Sequence, residues 1–172
     1  MSDNNKKRIL VVDDEADVRN FLKAALIEAG FEVITAEDGN LALDEVKKQI
    51  PDLISLDLVM PKKSGAKFYH ELTKKKEWSK IPIIIVTGHA RDDLGKSDLK
   101  ELTMSGPGVY LEKPVKPNNY IAAIKSILKM DVTEEEKQSA EIVNLQNDLK
   151  NIIDSADNET LKKLKEILGK KK

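Results

Sequence analysis

Four short apolar runs punctuate the first two thirds of the chain, and each ends on residues able to do chemistry. RILVV at 8–12 runs into Asp13, Asp14 and Glu15, and LISL at 53–56 runs into Asp57. IPIIIV at 81–86 runs into Thr87 and Gly88, and VYL at 109–111 into Glu112, Lys113 and Pro114. Continuous apolar runs of this length mark strands covered on both faces, as in parallel sheets. FEVITA at 31–36 alternates instead, with Asp38-Gly39 as its turn.

Between these runs the apolar spacing becomes helical. Val18, Phe21, Leu22, Ala25, Leu26 and Ala29 predict a helix over 16–29 closed by Gly30. Leu43, Val46 and Ile50 predict one over 40–49 with those side chains toward the core, and Ala66, Phe68, Tyr69 and Leu72 predict a third. The polar, glycine-rich stretch 88–108 carries a short helical pattern of Leu94, Leu99, Leu102 and Met104. Tyr120, Ile121, Ile124, Ile127 and Leu128 predict a helix ending near Met130. Strands alternating with helices through short connections imply an α/β fold with a right-handed, doubly wound parallel sheet. The expected organisation is an N-terminal tail at 1–7, one domain at 8–130 and a helical extension at 131–172.

In the extension, Thr133 with Glu136 forms a capping-box sequence. Ile142, Leu145, Leu149, Ile152 and Ala156 then recur at alternating spacings of three and four, a narrow apolar stripe that suits a partner helix. A second helix is predicted from Asn158, with Leu161, Leu164, Ile167 and Leu168 apolar and Gly169 as its stop. Residues 131–159 hold nine acids and two bases, whereas 160–172 hold six bases and one acid. Opposite charge favours packing the two helices on each other or across a dimer. Capping of the preceding domain weighs about equally against a dimerising or partner-docking role. The longer helix is acidic and the extension is short for a winged helix, so direct DNA binding is not expected.

Composition narrows the classes. The chain has 172 residues with 40% hydrophobic and 34% charged, and a formal net charge of -1, which gives no global attraction to nucleic acid or anionic lipid. It has no cysteine, which excludes disulfides, thiolate zinc sites and cysteine nucleophiles and suits a cytoplasmic setting. No apolar run approaches the roughly 20 residues of a membrane span, and the N-terminus lacks the apolar core of a signal peptide. His70 and His89 lack metal-ligand spacing. Lys74, Lys75 and Lys76 suit a solvated helix face, Lys170 to Lys172 a solvated end, and Trp78 packing near the third helix.

The carboxyl ends of strands in an open parallel sheet share one rim, where ligands bind. Asp13, Asp14, Asp57, Thr87 and Lys113 therefore converge. Three carboxylates held together repel unless a cation sits among them, and an all-oxygen set favours Mg²⁺. The metal would neutralise an incoming phosphoryl group while Asp57 attacks phosphorus to form an acyl phosphate. Lys113 would supply a second positive contact and Thr87 a hydroxyl donor.

These residues together resemble the receiver domain of bacterial two-component response regulators, the CheY-like superfamily, over about residues 8–130. The matching features are Asp13-Asp14 after RILVV, Asp57 in SLDLVMPKKSG, Thr87 in IIIVTGHA, and YLEKP at 110–114. The resemblance implies a flavodoxin-like five-stranded sheet in the order 2-1-3-4-5. It implies that Asp57 accepts a phosphoryl group from a histidine kinase or phosphotransfer protein, without enzymatic turnover. Asp14, Asp57 and the main-chain carbonyl of Val59 would bind Mg²⁺, with Asp13 acting through coordinated water. Thr87 and Tyr110 would form the switch pair, and the Lys113-Pro114 bond would be cis. Two departures stand out. The span from Thr87 to Lys113 is a few residues longer than usual. Val59 and His89, at positions that line the path of hydrolytic water, predict slow self-hydrolysis. A Mg²⁺-dependent phosphohydrolase with an aspartate nucleophile is the rival enzyme reading, but it needs a second acid two residues on, where Val59 stands. A receiver-like module binding partners without phosphorylation is the third reading. A dinucleotide-binding domain is excluded because no G-x-G-x-x-G follows a strand.

Overall fold

The computed structural model describes residues 6–58, 60, 64–88, 109–155 and 157–169. The predicted helical pattern of Leu94, Leu99, Leu102 and Met104 lies outside them, as do Val59, His89, Ala156 and Lys170 to Lys172.

Five strands, β1 (Arg8–Val12), β2 (Glu32–Ala36), β3 (Leu53–Leu56), β4 (Ile83–Thr87) and β5 (Val109–Glu112), form one sheet in the order β2-β1-β3-β4-β5. Every pairing is parallel. The α/β class and strand order are those expected. β4 starts two residues later than the apolar run because Pro82 has no amide to donate to the ladder.

Alternation along β1 divides the core into two layers. Ile9 and Val11 pack with Leu22 and Leu26 of α1 (Ala16–Glu28) and with Tyr120, Ile121 and Ile124 of α4 (Pro117–Ile127). Leu10 and Val12 face the opposite way, onto Ala42, Leu43 and Val46 of α2 (Gly39–Lys48) and Phe68 and Leu72 of α3 (Gly65–Thr73). A short 3₁₀ turn, Trp78–Lys80, buries Trp78 in this second layer, with the Lys75 ammonium 3.9 Å from the ring centroid.

Capping follows the local chemistry. Asp38 accepts hydrogen bonds from the amides of Asn40 at 2.9 Å and Leu41 at 3.0 Å, which fixes the start of α2. Gly30 leaves α1 with a φ of 91°, the left-handed conformation that favours glycine. One expectation needs correction. Ile50 is 48% exposed because α2 ends at Lys48 and Gln49 is extended, so Ile50 never joins the helical face. Pro51 disfavours helix at the preceding residue. Phe21 is also exposed, at 48%, and α1 rests on the core through Leu22 and Leu26.

Beyond the sheet, α5 (Glu134–Ser155) packs along α4 and reaches β5, and α6 (Asn158–Gly169) follows it. The capping box forms: the Thr133 amide donates to Glu136 Oε2 at 2.8 Å, and the Glu136 amide donates to Thr133 Oγ1 at 3.2 Å. Glu136 also accepts from Lys125 Nζ at 2.7 Å, which ties α5 to α4. Val143 is 3% exposed and belongs to the α1–α4 core layer, while Ile142, Leu145 and Leu149 are 51%, 61% and 57% exposed. The helix therefore docks by a residue outside the apolar stripe; Leu145 and Leu149 face outward, and Ile142 stands at the edge of the docked face, toward β5.

Candidate functional site

Register delivers the site residues to one rim. Val12 is level with Leu56 across β1 and β3, so Asp13 and Asp57 leave adjacent strands side by side. Thr87 closes β4 opposite Glu112 of β5, and its carbonyl accepts from the Lys113 amide at 3.2 Å. Asp13, Asp57 and Thr87 are 2%, 2% and 0% exposed, whereas Asp14 is exposed.

Carboxylate oxygens of Asp13, Asp14 and Asp57 lie within 4.8 Å of one another. The Lys113 ammonium enters this cluster at 2.8 Å from Asp13 Oδ2, 2.9 Å from Glu15 Oε1 and 3.2 Å from Asp57 Oδ2. Burial disfavours charge on Lys113. The bonds to Asp13 and Glu15 and the field of Asp57 outweigh it, so the lysine pKa lies above its ordinary value. Burial pushes the Asp13 carboxyl up, against the lowering effect of its bonds to Lys113 and the Glu15 amide. Three carboxylates thus share one ammonium and Asp14 adds a fourth negative charge beside them, an excess that suits a divalent cation.

Tyr110 is 8% exposed on β5, level with Ile85, and packs with Ile85 and Leu58. It also lines a cavity of about 340 Å³ between β5, the segment leading into α4, and Ile142, Val143 and Gln146 of α5. The Lys113-Pro114 peptide bond is cis. Of the expected site residues, Asp13, Asp14, Asp57 and Lys113 meet directly, Thr87 stands at the same rim, Tyr110 lies behind it, and Val59 is outside the described residues.

Three further residues shape the rim. Glu15 shares the lysine, as the third member of an acidic run whose position alone gives no pairing. Arg19 donates from Nη1 to the Asp13 carbonyl at 2.7 Å, holding the loop after β1. Gly65 begins α3 directly against β3. A Cβ there would collide with the Asp57 carbonyl oxygen and stand 2.8 Å from Leu58 Cα, so only glycine fits beneath the loop that follows β3. Its signal in the sequence was only a Ser-Gly pair after a polar loop.

Comparison with known proteins agrees with this arrangement. The family model described as response regulator receiver domain matches residues 9–125. The probable transcriptional regulator ycf27 of Porphyra purpurea is 39% identical over 129 residues, covering 74% of this chain and 49% of that protein. The phosphate regulon transcriptional regulatory protein PhoB of Escherichia coli K12 is 32% identical over 123 residues, covering 72% and 52%. The chain thus matches about half the length of these relatives. Among solved structures, response regulator TrrA of Thermotoga maritima, in complex with Mg²⁺ and BeF, is 36% identical with a TM-score of 0.58, covering 70% of this chain and 98% of that one. The chemotaxis protein CheY4 of Vibrio cholerae is 28% identical with a TM-score of 0.61, covering 74% and 100%. With this fold, this rim and these relatives, the chain belongs to the response regulator receiver domain family of two-component systems.

Proposed function

We propose that this protein accepts a phosphoryl group on Asp57 from a cytoplasmic histidine kinase or phosphotransfer protein and passes the signal to a partner or a second copy through the β5–α4 face and the helices of 131–172. The observation that carries this reading is the Lys113 ammonium 3.2 Å from Asp57 Oδ2, inside a cluster of three carboxylates. An oxygen of Asp57 attacks phosphorus as the bond from phosphorus to the donor nitrogen breaks, its electron pair returning to the imidazole. Lys113 would meet the phosphoryl oxygens once the acid charge of Asp57 is consumed, and the Thr87 hydroxyl would donate to one of them. Asp13, Asp14 and Asp57 would hold Mg²⁺, which would offset the charge of the incoming group. The all-oxygen donor set, its excess negative charge and the Mg²⁺ complex of the Thermotoga relative support that choice.

The route outward runs through Tyr110. Its ring packs on Ile85, two residues before Thr87, and faces the cavity beneath α5. A shift of Thr87 toward a phosphoryl group would free room for Tyr110 and change the floor on which Val143 rests. The phosphoryl acceptor reading is tested by incubating the chain with acetyl phosphate and following intact mass. A Mg²⁺-dependent gain of one phosphate, absent in Asp57→Asn, is the expected result. Steady release of inorganic phosphate from added phosphate esters would instead indicate a hydrolase.

A further inference from the structure

We infer that the outward face of α5 is a self-association surface whose occupant is α6 of a second copy of this chain. Docking of α5 through Val143 and the Lys125–Glu136 pair leaves Leu145 and Leu149 more than half exposed on another side of the helix, with the half-exposed Ile142 at the border of the docked face. These three residues follow the a/d spacing of a coiled-coil seam. Glu134, Glu141 and Asp148 recur at intervals of seven beside that seam and are all exposed, so an acidic rail borders the apolar one.

Charge selects the occupant. Pairing one α5 antiparallel to another would bring acidic rails together, and a parallel pair would leave Glu141 and Asp148 without a cation. The helix α6 carries Leu161, Leu164 and Leu168 at the spacing of such a seam, with the exposed Lys165 beside them and Lys162 and Lys163 further round, Lys163 also pairing with Glu159 at 3.4 Å, and this cationic side complements the acidic rail. The chain's own α6 leaves the seam exposed, so the complementary helix comes from a second molecule. Exchange is reciprocal under two-fold symmetry: each copy offers one α5 seam and one α6, giving two equivalent contacts. Residues of α4 already covered by α5 take no part. The inference stands on the extension alone and does not depend on chemistry at Asp57.

Sedimentation velocity of the full chain across a concentration series tests it. A monomer–dimer equilibrium is expected, with a Kd that rises severalfold as NaCl goes from about 50 to about 500 mM. Leu145→Lys with Leu149→Lys should raise Kd at least about tenfold. Reversal of Lys162, Lys163 and Lys165 to Glu should do the same, and adding Glu141→Lys and Asp148→Lys should restore association to within about threefold of the parent. Circular dichroism of each variant checks that helix content is retained. A chain that stays monomeric at about 100 µM, a dimer unaffected by the lysine reversals, or reversals that the compensating lysines do not rescue would each overturn the inference. Acetyl phosphate labelling of the lysine-reversed protein should proceed as in the parent, so failure at Asp57 and failure of the tail contact are read separately.

Discussion

Lys113 neutralises one side of the acidic rim and competes with any divalent cation for the same oxygens. Lys113→Met should therefore strengthen Mg²⁺ binding, by about twofold to tenfold in a calorimetric titration. The same change should slow acetyl phosphate labelling by at least about tenfold, because no ammonium remains to meet the transferred group. A variant that loses both affinity and labelling would mean that Lys113 only holds the rim together. Gly65 presents a different kind of constraint, since its neighbours are backbone atoms that cannot rotate aside. Gly65→Ala should lower stability by about 1–3 kcal/mol, read as a fall of several degrees in Tm. An unchanged Tm would show that β3 and α3 move apart without cost.

Elements dock by small numbers of residues, and α5 is the clearest case. Val143 supplies the buried contact, so Val143→Asp should weaken docking by about 2–4 kcal/mol by placing an unpaired carboxylate against Ile121 and Ile124. Faster hydrogen exchange of α5 amides, with β1 and β3 unchanged, is the expected signature. The ion pair at the start of α5 adds a pH dependence. Hydrogen bonds from Lys125 and from the Thr133 amide hold Glu136 below its ordinary value of 4.5. A carboxyl depressed in the folded state stabilises fully above its unfolded value and loses that contribution as pH falls through the lower, folded one. Docking should thus be constant from neutrality to about pH 5 and weaken in more acid solution. Glu136→Gln should flatten that response, and an unchanged acid profile would assign it to other carboxylates.

Taken whole, the molecule is a sheet that gathers charge at one edge and a helical extension that covers one flank. Deleting residues 131–172 should uncover apolar side chains of α4, so the shortened protein should be less stable than the full chain by denaturant titration. Much of this architecture was legible in the amino-acid order. Each buried strand is a local apolar run, each helix a local period, and each chemical residue follows directly on a run, so strand alternation and the approximate rim could be read without coordinates. What the order could not supply was relative orientation. Whether α5 turns its stripe or Val143 toward α4 depends on the angle at which one helix lies on another. The sharing of Lys113 among Asp13, Glu15 and Asp57, and the approach of Gly65 to Asp57, depend on atoms far apart in sequence. Local chemistry fixes what each segment can become, and the mutual packing of segments alone decides which of their faces and charges meet.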